Sequence, residues 1–164
     1  MRASLIAGLI AVALVSQVGA QGVAGNGVLT GVERLNIHGC RKGRTSVVVS
    51  VAVAADGTWQ AVETTHAYQG TYTPRGKGNR VLAFTFDDPS RALYTSVLNA
   101  WADDLCGVPV TVTSATQQKA VFTLNKRRTK GSLAVVYRFT GVANGRSGRA
   151  KLTLAGKGSW QALP

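Results

Sequence analysis

Side chains that alternate between apolar and polar with a period of two run through most of this chain, which restricts it to sheets with one buried face. Val47, Val49, Val51 and Val53 open the clearest run, and Trp59 and Ala61 share a face in the next. Leu82, Phe84 and Phe86 alternate further on, as do Leu133, Val135, Tyr137 and Phe139. Ala150, Leu152 and Leu154 begin a last run that extends to Trp160. A first strand is expected over residues 27–38, with Leu29, Leu35 and Ile37 on one parity, and a shorter one over 68–73, ending at Pro74. Val110, Val112, Ala120, Phe122 and Leu124 also share parity, so one long strand is expected there, with the polar stretch 113–119 as the place where it would break. Asp56-Gly57 predicts a hairpin turn of type I′, in which both central residues take positive φ.

One segment departs from this period. Leu93, Val97, Trp101 and Leu105 recur every four residues, with Tyr94 and Leu98 beside them, and predict an amphipathic helix that stops at Gly107. Asp88 is the expected N-cap, with Pro89 in the first turn and Ser90 after it. Asp103 and Asp104 fall in the last turn, where the helix dipole disfavours negative charge, so a basic neighbour is needed.

Eight strands with a helix between the fifth and sixth follow from this reading. Short connections make sequential neighbours pair antiparallel, and an even-stranded meander closes most naturally into an up-and-down barrel, with a two-sheet sandwich as runner-up. In such a barrel alternate connections share an end. The connection holding Cys40 and the one holding the helix and Cys106 therefore lie together, which allows the two cysteines to join. The bond would close a loop of 67 residues and contribute about 4 kcal/mol through the entropy of the unfolded chain.

The N-terminus explains why a disulfide is the expected fate of these cysteines. Arg2, an apolar run from Leu5 to Val15 and the small residues Val18, Gly19 and Ala20 form a secretory signal over residues 1–20, too short to span a bilayer at about 20 apolar residues. Removing those 20 residues, Arg2 among them, leaves a single β-rich domain of 144 residues (21–164) with a formal charge of +11. The protein is expected to be exported to a bacterial periplasm or to the extracellular space, where cysteines oxidise.

Candidate functional residues fall into three groups. Basic residues cluster in the connections: Arg41, Lys42 and Arg44 with Arg146, Arg149 and Lys151 at the helix end, and Arg75, Lys77, Arg80, Lys126, Arg127, Arg128 and Lys130 at the other. Such patches attract polyanions by charge. Few aromatics stand beside them, so neither base stacking nor specific nucleic-acid recognition is expected. Parity turns Glu33 and Glu63 inward among Trp59, Phe84, Phe122, Tyr137 and Phe139, where a carboxyl needs a partner and its pKa rises. Fraying near the strand ends is the competing outcome. His38 and His66 lie near the helix end and would need Asp103 or Asp104 to complete a zinc site, so neither metal nor cofactor is expected.

No nucleophile elbow or phosphate loop is present; Gly145-Arg146-Ser147-Gly148 reads as a turn between strands. No motif identifies a family. The leading expectation is an exported, non-enzymatic binding protein whose barrel takes a small apolar or amphiphilic ligand. The alternative is an envelope-associated basic protein that binds anionic polysaccharide, lipid headgroups or other polyanions. A glycan hydrolase using the paired glutamates ranks third.

Overall fold

A computed structural model describes residues 23–64 and 66–163; the expected secretory signal lies outside them. The strands are β1 (Gly25–Ile37), β2 (Gly43–Val53), β3 (Thr58–Glu63), β4 (His66–Arg75), β5 (Val81–Phe86), β6 (Val110–Leu124), β7 (Lys130–Ala143) and β8 (Arg146–Ser159), with the helix α1 (Asp88–Cys106) between β5 and β6. Each strand pairs antiparallel with its sequential neighbour, and β1 pairs with both β2 and β8, so the meander closes into an eight-stranded barrel. Past Trp160 the chain adds a two-residue strand, β9 (Gln161–Ala162), against the start of β1.

Inward alternation holds as the hydrophobic pattern requires. The buried residues of β2, Val47 to Val53, face those of β5, β7 and β8 across the interior. Trp59 stacks on Phe84 at 4.5 Å, Phe84 on Phe122 at 6.0 Å, and Phe122 meets Trp160 at 4.9 Å, an aromatic column that runs to the end remote from the helix.

The long strand forms as expected and runs unbroken through residues 113–119, with two bulges, between Val112 and Ser114 and between Gln117 and Lys119. Each bulge flips the inward face once. Two of them cancel, which is why Val112 and Phe122 share parity across a polar stretch. Two other local expectations are corrected. At Asp56-Gly57 the hairpin forms, but only Gly57 takes positive φ (92°). Asp56 instead accepts from the backbone N–H and hydroxyl of Thr58, so the connection is a longer loop. β4 runs through Pro74, paired with Leu82 of β5, because β3 pairs only as far as Thr71 and asks nothing of the missing N–H.

In α1 the N-cap is Asp87, not Asp88: a capping carboxylate must reach the N–H three residues on, and Asp87 Oδ1 accepts from Ser90 N at 2.8 Å. The buried line is Ser90, Tyr94, Leu98, Ala102 and Leu105, so Leu93, Val97 and Trp101 of the expected stripe sit half-buried on its flank. Small residues at 90 and 102 bring the helix close to the barrel. Close approach also explains Gly43, where a Cβ would stand 2.7 Å from both Trp101 and Leu105.

At its C-terminus the helix ends on Gly107 in the left-handed region (φ 68°). The basic neighbour its two aspartates require is Arg41, which donates to the carbonyl of Asp104 at 2.8 Å and stands 3.8 Å from its carboxylate. Asp103 Oδ1 accepts from Val110 N. The Cys40–Cys106 disulfide then fixes this end of the helix to the β1–β2 connection.

Candidate functional site

The barrel interior beneath the helix is polar. Glu33 of β1 is 7% exposed and accepts a hydrogen bond at 3.2 Å from the hydroxyl of Tyr94 on α1. Glu63 of β3 stands half-buried nearby, opposite His66 on β4. Burial pushes the Glu33 carboxyl up to about 7, Glu63 adds to the rise, and the Tyr94 hydrogen bond opposes it. Burial also raises Glu63, against the pull of His66.

Tyr68 and Tyr94 are raised by burial and then by the neighbouring carboxylates, and burial lifts Tyr137 to about 12. These phenols therefore stay protonated, and Tyr94 and Tyr137 act as donors. Tyr137 donates to Gln117 Oε1, and Gln117 Nε2 donates to the Phe84 carbonyl at 2.8 Å. That last bond bridges a seam, because β5 and β6 pair only from Val81↔Thr123 to Ala83↔Val121.

The residues expected to face an internal ligand (Glu33, Trp59, Glu63, Phe84, Phe122 and Tyr137) all turn inward, but they fill the space themselves. The void lined by Val49, Trp59, Glu63, Tyr94 and Leu154 is about 30 Å³, the share of liquid volume taken by one water. Small-ligand sites occupy roughly 300–1,000 Å³.

A space of that size lies at the helix end. α1 lies against β4 and β6 and reaches Glu33 of β1 and Tyr137 of β7 through Tyr94, but beside its C-terminal Cys106 the ends of β1, β7 and β8 stand open. The result is a cleft of about 350 Å³ between the disulfide and the ends of those strands. Ile37, Val110, Phe139 and Ala150, the top layer of the core, form its floor. Arg146, Arg149 and His38 stand at its rim, and its lining holds no carboxylate.

Of the other basic residues, Arg41, Lys42 and Arg44 also lie at the helix end. Arg75, Lys77, Arg80, Lys126, Arg127, Arg128 and Lys130 surround the β4–β5 and β6–β7 turns at the far end, where Arg128 donates to the Gly78 carbonyl. The two ends thus divide the basic clusters as counting strands predicts. His38 and His66 fall on separate elements, and among the described residues no group of three or more His, Cys, Asp or Glu stands close enough to hold a metal ion. Sequence reasoning missed the cleft, since it arises from how much of the mouth the helix leaves open. Gln117 was missed too, because bulges on either side decide which way it points.

Comparison of the chain with protein-family models, with curated proteins and with solved structures returns no match.

Proposed function

We propose that this is an exported, non-enzymatic binding protein that takes a small anionic amphiphile in the cleft at the helix end of its barrel. The observation that carries the reading is the pairing of an apolar floor (Ile37, Val110, Phe139, Ala150) with a cationic rim (Arg146, Arg149) in a space of about 350 Å³. An apolar tail displaces water from the floor at about 25 cal/mol per Å² buried, while the arginines meet the head group by charge-assisted hydrogen bonds. The closed interior, with its void of about 30 Å³, is a packed core in this reading, and Glu33 and Glu63 belong to that core rather than to a ligand site.

Calorimetric titration with decyl phosphate tests it. Decyl phosphate is expected to bind at least about tenfold more tightly than either decanol or inorganic phosphate, because each of those supplies one half of the interaction. Replacing the exposed arginines (Arg146→Glu with Arg149→Glu) should remove that advantage, and Ala143→Trp, which fills the cleft wall, should remove binding of the alkyl chain. Equal affinity for decyl phosphate and inorganic phosphate contradicts the reading, as does parent-like binding by both variants.

A further inference from the structure

The outer wall of the barrel carries a second cationic feature, built by strand register. Arg34 on β1 lies directly opposite Arg44 on β2, and Lys151 on β8 directly opposite Arg138 on β7. Arg34 pairs with Thr153, two residues along β8 from Lys151, so the four cations form one diagonal band across β2, β1, β8 and β7. All four are exposed. Direct cross-strand neighbours stand about 5 Å apart and diagonal ones about 7–8 Å, so the band runs roughly 15 Å or more.

Like charges directly opposite each other destabilise a sheet, and here two such pairs occur in the β1–β2 and β7–β8 ladders, on either side of the β1–β8 pairing, with no acidic side chain on those strands facing them. β2, β7 and β8 contain no acidic residue, and the one on β1, Glu33, points inward. The ion pairs among the described residues, Arg41–Asp104 and Arg91–Asp88, lie off the band. A groove along the helix-end margin of the band adds Lys42, Arg149, His38 and Asn36.

We infer that this wall is the docking surface for a linear, flexible polyanion of the sulfated or uronic polysaccharide class. Four consecutive strands of an eight-stranded barrel subtend more than a third of its circumference. A flat membrane or a rigid duplex touches such a curve along one side, whereas a thin chain follows it and brings an anion to each cation. No aromatic side chain stands outward on these strands, so bases find no stacking platform. Thr153 and Asn36 lie between the cations and supply hydrogen-bonding groups for sugar hydroxyls. None of the four cations lines the cleft, although the groove at the band's margin shares His38 and Arg149 with the cleft rim, so the test below substitutes only the four.

The test compares two charge-matched variants for binding to a heparin octasaccharide at 50 and 200 mM salt. One is Arg34→Gln, Arg44→Gln, Arg138→Gln and Lys151→Gln; the other removes four charges from the far-end loops (Lys77→Gln, Lys126→Gln, Arg127→Gln, Lys130→Gln). The wall variant is expected to lose about tenfold or more in affinity and to show a shallower salt dependence, with the loop variant within about threefold of the parent. The wall variant should melt no lower than the parent, since it loses two like-charge pairs, and should keep its affinity for decyl phosphate whatever that affinity is. Equal losses in the two variants overturn the inference in favour of net charge alone. Tighter binding of a duplex DNA or of anionic vesicles, lost in the same wall variant, overturns the polysaccharide assignment.

Discussion

The two ends of the barrel close by different means. At the far end the chain supplies only its own side chains: Phe122, Leu124 and Trp160 are buried there, and the Tyr72 hydroxyl donates to the carbonyls of Val23 and Ala54. Nothing in that plug ionises at ordinary pH; one polar atom, Trp160 Nε1, is buried without a partner. At the helix end closure is assembled from a separate element, held by the disulfide, by Arg41 and by the Glu33–Tyr94 bond, and it brings titratable groups into the interior. The added helix covers only part of the mouth, and the remainder is the cleft. Packing with side chains alone yields a sealed end, while packing with a rigid helix leaves both a pH-dependent joint and a vacant edge.

The largest way to break this contrast is to remove the staple. Cys40→Ser with Cys106→Ser opens a 67-residue loop in the unfolded chain and should cost about 4 kcal/mol in chemical denaturation. In hydrogen exchange the amides of α1 and of β1 near Ile37 should lose protection before those near Leu124 and Leu133. Uniform loss at both ends contradicts the contrast.

Next in size is the buried acid. Its carboxyl titrates near 7 in the folded protein and near 4.5 when exposed. The folded state therefore holds its proton more tightly, so the stability that Glu33 contributes is fully present below pH 4.5 and is lost as pH rises to about 7. The loss amounts to about 3 kcal/mol at about 1.4 kcal/mol per pH unit. Glu33→Gln should be more stable than the parent by up to that amount at pH 8 and nearly equal to it at pH 4, read from denaturation curves across pH. A parent-like slope in the variant removes Glu33 from the account.

The smallest effect is at the same joint. Tyr94→Phe removes one hydrogen bond to the acid and should cost about 1 kcal/mol. It should also shift the pH-dependent loss to a higher pH, since the bond it removes holds the Glu33 pKa down.

How much of this was legible beforehand follows from the range of each interaction. Parity at Val47 to Val53 or Leu133 to Phe139 is a local property, and counting strands then placed Cys40 beside Cys106. Asp87 and Asp88 differ by one residue, and only the reach to Ser90 decides between them. The stripe on α1 was displaced for a similar reason: Ser90 and Ala102 are small, and their value lies in what packs against them. Strand register is long-range, so the facing pairs Arg34–Arg44 and Arg138–Lys151 have no signature along the chain. The interior volume depends on how rings such as Trp59 and Phe84 stack, which alternation does not specify.

The proposed binding site is the open edge of the helix-end mouth, not the interior of the barrel. Titrating the isotope-labelled protein with decyl phosphate while following its methyl and amide resonances tests this most directly. The predicted result is that Ile37, Val110, Ala150 and Arg149 shift while Val49, Ala61 and Leu154 stay in place. Shifts concentrated on Val49, Ala61 and Leu154, or on Thr123, Ser132 and Gly158 at the far end, contradict it.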